Sequence, residues 1–169
     1  MSSDKLDRGT GLSSAIDRLA SLIPGYRGYK AREAAREDDR LLRVRVCFDL
    51  SASLHQLKKH KEAVLELSGP LSLRPWTKLE QRLQKLEVKF RSSHGFYDGF
   101  MSTNGNSVSL QDRLIQFDET CVKGAAEVAE HFKNSLGPTD IESLNQSIQR
   151  LEGALSDRAE LLAVRGDSP

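Results

Sequence analysis

The sequence predicts an all-α fold, an up-and-down antiparallel helical bundle of four long helices with a short N-terminal helix. Apolar residues recur every three or four positions along most of the 169 residues. The breakers Pro24-Gly25, Gly69-Pro70 and Gly137-Pro138 fall between those runs. No stretch alternates apolar and polar residues as a half-buried strand does.

The first element carries Leu12, Ile16, Leu19 and Ile23 on one side, and Pro24-Gly25 stops it. Its expected place is against the charged start of the second helix. The second element is expected from about Lys30 to Leu67, a run free of Gly and Pro. Its first third reads as a wet, charged surface. Beyond that, Val46 (or Cys47), Leu50, Leu54, Leu57, Val64 and Leu67 form an apolar stripe. At ~1.5 Å per residue this helix is long for one compact domain, so a bend is expected near 48–53 or a projecting end.

Pro75 opens the third helix. Trp76, Leu79, Leu83, Leu86 and Phe90 give it a narrow seam with the seven-residue spacing of a coiled coil. Residues 94–108 are expected to be a long loop. The fourth helix is expected from about Ser109 to Ser135, its stripe Leu110, Leu114, Phe117, Cys121, Ala125, Val128 and Phe132. Thr139 and Glu142 make a capping-box pattern before the last helix. Ile141, Leu144, Ile148, Leu151, Leu155 and Leu162 are its stripe. The domain therefore covers 12–163, with tails at 1–11 and 164–169.

Composition narrows the function classes. The formal net charge is +1, with 38% hydrophobic and 29% charged residues. Residues 1–60 sum to +4, 61–107 to +2 and 108–169 to −5. Such halves can attract one another within the fold or steer a charged partner. No apolar run approaches the ~18 residues of a membrane span. Neither Cys47 nor Cys121 belongs to a Cys-x-x-Cys pair, which points to a reducing, cytoplasmic setting.

No reactive constellation is legible. His55 and His60 are five apart and fall on different helix faces. Glu127 and His131 lack the second pair that a carboxylate-bridged metal bundle uses. No phosphate-cradling Gly-rich loop and no nucleophile elbow occurs. The expectation is no enzyme, no cofactor and no metal.

Two other features attract attention. Five of the aromatic residues sit in two loops: Tyr26 and Tyr29 in one, Phe96, Tyr97 and Phe100 in the other. The two loops are expected at one bundle end, packed together. There they either seal the end or form a partner-docking patch, since clustered Tyr and Phe suit interfaces. Arg32, Arg36, Arg40 and Arg43 recur along one face of the second helix. Acidic neighbours interleave with them, so this face is either ion-paired and wet or open to phosphates of nucleic acid or lipid.

The segment Leu22-Ile-Pro-Gly-Tyr-Arg-Gly-Tyr, with the basic-acidic stretch after it, resembles a signature of uncharacterised bacterial helical proteins. The block Gly95-Phe-Tyr-Asp-Gly-Phe-Met, followed by Leu114-Ile-Gln-Phe-Asp, is similar to that family's second aromatic block. The resemblance implies one ordered unit with paired loops and adds no mechanism. The expected function is a non-enzymatic scaffold or adaptor that binds another protein through the aromatic loops. The alternative is a peripheral factor that binds an anionic surface through the basic face.

Overall fold

The computed structural model describes residues 14–29, 32–92, 107–133 and 140–163. The tails, the capping-box Thr139, and Phe96, Tyr97 and Phe100 of the second aromatic loop lie outside the described residues.

The fold is an all-α bundle. Helix α1 covers 14–22, and its chain leaves through a turn at 23–29. Helix α2 is Arg32–Ser68, and a 3-10 turn at Pro70–Leu73 leads into α3, Arg74–Ser92. Helix α4 is Ser107–Lys133 and α5 is Asp140–Ala163. At ~1.5 Å per residue, the 37 residues of α2 span ~55 Å. The helix is continuous through 48–53, where the Ser53 hydroxyl donates back to the Asp49 carbonyl at 2.8 Å.

The helices reverse direction along the chain, and two antiparallel hairpins result, α2 with α3 and α4 with α5. These hairpins lie side by side, so that α2 packs on α4 and α3 on α5. Polar contacts fix the register. Arg82 on α3 donates to Asn145 and Glu152 on α5, at 2.7 and 2.8 Å. Gln111 near the start of α4 donates to the Gly28 carbonyl below the start of α2, at 2.6 Å. Ser92 and Ser107 thus stand at the bundle end that carries Tyr26 and Tyr29.

The core follows from the stripes. Trp76, Leu79, Leu83, Leu86 and Phe90 of α3 are all buried. So are Leu114, Cys121, Ala125, Val128 and Phe132 of α4, and Leu144, Ile148, Leu151, Leu155 and Leu162 of α5. Helix α4 buries a wider face than one stripe, because it touches both α2 and α5; Ile115 and Val122 join its core side. Helix α1 is anchored through Ala15, Leu19 and Ile23. Arg45 of α2 donates to the Leu22 carbonyl at 3.0 Å, which ties the end of α1 to α2.

Helix α2 departs from its expected pattern at both ends. Its charged first third turns Ala35, Asp38, Asp39 and Leu42 inward, because the 23–29 turn and α5 cover that face. At the other end burial fades past Leu57: Val64 is half-buried against the core and Leu67 is not. From Lys58 to Pro75 no residue is buried, and Leu67 is 86% exposed. The physical reason is length. Arg158 of α5 lies level with Asp39 of α2, so α5, which begins at Asp140, starts about level with residue 57 of α2. The last three turns of α2 and the 3-10 turn therefore project as a two-armed hairpin.

Leu57 and Leu67 occupy the same sequence stripe and have opposite surroundings. Leu57→Ala is expected to cost about 2–5 kcal/mol and Leu67→Ala about 0.5 kcal/mol or less, read from urea unfolding curves.

Candidate functional site

Two places in the fold hold more than ordinary packing: a buried polar node at the α1 end, and the projecting hairpin at the other.

The node begins with the turn. Gly25 and Gly28 have φ of 93° and 76°, in the left-handed region open to glycine. A Cβ on Gly28 would sit 2.8 Å from the Ile16 side chain, so a larger residue here would have to displace Ile16 as well as adopt a strained angle. Tyr29 follows with φ 59°, which costs a side-chain-bearing residue roughly 1 kcal/mol. Asp38 holds the turn in place. Its carboxylate accepts the backbone N–H groups of Arg27 and Tyr29, at 2.8 and 2.7 Å.

The tyrosine rings meet edge to face, centroids 5.8 Å apart, and both hydroxyls donate to one oxygen of Asp118 on α4. The other Asp118 oxygen accepts Arg158 Nε of α5 at 2.8 Å. Arg158 Nη2 continues to Asp39 of α2 at 2.8 Å, and Arg43 pairs with the second Asp39 oxygen at 2.7 Å. One network thus joins the turn, α2, α4 and α5. Two carboxylates face two guanidinium groups, so the charges balance.

Burial and charge set the protonation of these groups. Burial pushes the Asp118 carboxyl up, while the Arg158 charge and the donors Tyr29, Arg158 and Tyr26 pull it down. Burial, then the Asp118 charge, drives the Tyr26 hydroxyl far above its ordinary range, which keeps it a donor. Burial also raises Asp38, against the backbone donors of the turn. Cys121, one turn beyond Asp118, is pushed up to about 12 by burial and is a poor nucleophile at neutral pH. Arg43 Nε is buried with no hydrogen-bond partner among the described residues, while the tyrosine hydroxyls and the Arg158 donors described above meet acceptors inside the node. That arrangement orients and locks the turn.

Tyr26 and Tyr29, expected in a docking patch, are 4% and 2% exposed. Their hydroxyls are engaged by Asp118, so neither ring is available to a partner. The proposed contact between the two aromatic loops falls outside the described residues, as do the side chains of Arg32 and of Phe96, Tyr97 and Phe100. Arg36 and Arg40 are exposed, and Arg40 pairs with Glu37 at 2.6 Å. Arg43 turns inward to Asp39. Arg40 and Arg43 are therefore each engaged by an acidic side chain of the same helix. A hollow of about 460 Å³ lies beside them, lined by Pro24, Gly25, Arg27, Ala34, Glu37, Asp38 and Leu41.

Sequence reasoning missed Asp118 and Arg158. Each lies on a helix whose apolar spacing is satisfied without it. A weak signal existed: Asp118 falls beside Phe117 and one turn before Cys121, inside the buried arc of α4.

At the opposite end, Gly69 with φ 76° breaks α2, and Pro70 starts the 3-10 turn. Around this turn Leu65, Leu67 and Leu71 are 46%, 86% and 93% exposed. Below them the His60 ring meets Trp76 edge to face, centroids 4.3 Å apart, and joins the two arms. Lys61 pairs with Glu80 across the hairpin at 2.6 Å.

Among the described residues no group of three or more His, Cys, Asp or Glu side chains could hold a metal ion. No helix among them is long and apolar enough to cross a membrane. Comparison with protein families, with curated proteins and with solved structures returns no match.

Arg158→Met leaves Asp118 buried beside two hydroxyl donors and no cation. It is expected to cost about 3–5 kcal/mol, against about 1–3 kcal/mol for Tyr26→Phe, by urea denaturation. A second test uses pH. Arg18 of α1 and Lys123 of α4 hold Glu119 down to about 2. Its folded value lies below its unfolded one, so its contribution is complete above about pH 4.5 and is lost as pH falls toward 2. Glu119→Gln is expected to flatten that part of the melting temperature against pH.

Proposed function

We propose that this protein is a non-enzymatic helical docking module, in which a locked body presents the α2–α3 hairpin to another macromolecule. The observation that carries this reading is the unburied run from Lys58 to Pro75, with leucines 86% and 93% exposed at its tip. A chain gains nothing in stability from apolar side chains held in water, and a rigid arm of about three turns beyond the core adds surface without adding core. The node at the other end supports the same reading. Its tyrosines and charges fix α1 and the 23–29 turn to the body. The two most exposed large apolar side chains among the described residues, Leu67 and Leu71, lie on the hairpin, with Val44, Phe48 and Val88 exposed on the flank of α2 and α3. The cytoplasm is the proposed setting, since Cys47 and Cys121 are both free thiols held in or near the core.

A photocrosslinking side chain at Leu71, compared in cells with one at exposed Gln149 on α5, tests the reading. A discrete adduct, lipid or protein, is expected at Leu71 and not at Gln149, and it should fade when Leu67→Ser is added. Equal diffuse labelling at the two positions overturns the docking role.

A further inference from the structure

We infer that the occupant of the hairpin tip is an anionic lipid surface, into which Leu67 and Leu71 insert on either side of Gly69. The inference rests on the docking role of the hairpin and names its partner. Three features select a bilayer.

The first is shape and area. The tip is convex, and among the described residues its apolar surface comes to a few exposed leucines. A stable protein interface needs about 800 Å² from each partner, about twice what Leu65, Leu67 and Leu71 expose between them. A bilayer interface accepts small apolar wedges, because each buried side chain contributes by itself.

The second is charge. From Lys58 to Lys78 the hairpin carries Lys58, Lys59, Lys61, Arg74 and Lys78 against Glu62 and Glu66. Lys61 is engaged by Glu80, and the other four cations are exposed. Arg74 stands three residues from Leu71, and Lys58 and Lys59 lie two to three turns below Leu67. Exposed Glu66 and Glu62 lie between Leu67 and Lys58, so the arm is mixed in charge, with a net +2 once the Lys61–Glu80 pair is set aside. A net positive surface behind an apolar tip gains from lipid headgroup phosphates, at about fivefold in binding per unpaired cation near the surface. The acidic ends of the other hairpin, Glu130 on α4 and Asp140 and Glu142 on α5, sit back from the tip. Asp140 lies near His60, and Ser68 is eight residues further along α2, or ~12 Å.

The third is rigidity. The Gly69 amide donates to the Leu65 carbonyl at 3.1 Å, the Ser72 amide to the Gly69 carbonyl at 3.3 Å, and the Ser72 hydroxyl to the Ser68 carbonyl at 3.2 Å. Three hydrogen bonds thus brace the tip backbone, which lowers the number of peptide groups that would enter the headgroup region unpaired.

The test is flotation of the full chain with phosphatidylcholine vesicles, with and without phosphatidylglycerol. Wild type is expected to float with the anionic vesicles and to stay behind with the neutral ones. Leu67→Ser with Leu71→Ser should lower the partition at least about tenfold while leaving the circular dichroism melt unchanged. Arg74→Gln with Lys78→Gln should lower it by a similar factor, and added salt should do the same. Absence of wild-type flotation overturns the lipid inference, as does flotation that the leucine pair does not affect. So does a loss of self-association, in place of vesicle binding, in the leucine variant. The Leu71 crosslink separates the two levels. A protein adduct without vesicle binding removes the lipid and keeps the docking arm, whereas no adduct above the Gln149 control removes both.

Discussion

Asp118 is a carboxylate taken wholly out of water, and a fold that encloses one must give it partners or lose several kcal/mol. Here the partners come from far apart in the chain: two tyrosines from the first thirty residues and an arginine forty positions beyond Asp118. Their meeting fixes the depth of α1 on the body, the register of α5 against α2 and the left-handed path through Gly28 and Tyr29. Leucine stripes can slide by a turn with modest loss, since one leucine is much like another. A guanidinium bridging Asp39 and Asp118 cannot. The apolar core supplies cohesion, and this network specifies one arrangement among several of similar burial.

The two hairpins explain why α2 is so much longer than its neighbours. Its first third is needed to receive the turn and to supply Asp38, Asp39 and Arg43. Its middle third is core, from Leu42 to Leu57. The last third contributes least to the body, through the half-buried Val64 and the contact of His60 with Trp76. Charge follows the same division: inward-facing and balanced at the node, outward-facing and net positive on the arm.

Much of this architecture was legible from residue spacing. The seam of α3, the terminators at 24–25 and 69–70, and the helix boundaries near 32, 68, 74 and 92 fell where periodicity and breakers put them. Burial was less legible wherever it depended on a partner's length. Val64 and Leu67 continue the stripe of Leu50, Leu54 and Leu57, and nothing local to α2 reveals where α5 begins. The buried charges were illegible for a related reason. Asp38 and Asp39 sit in a run of acids and bases that looks solvated, and only the fold shows that Arg158 is waiting opposite. Tyr26 and Tyr29 stand out in the sequence as a pair, but their number and spacing do not tell a hydroxyl aimed inward from a ring aimed out.

The 3-10 turn at Pro70–Leu73 has a consequence for how the chain can vary. Among the described residues its main contacts are with the two arms that it joins, so residues could be gained or lost at Gly69 with little repacking of the bundle. An epitope or a small domain spliced there would extend the hairpin and leave the bundle's melting behaviour intact. The same independence lets reach and tip chemistry drift over evolutionary time while the locked end stays constant.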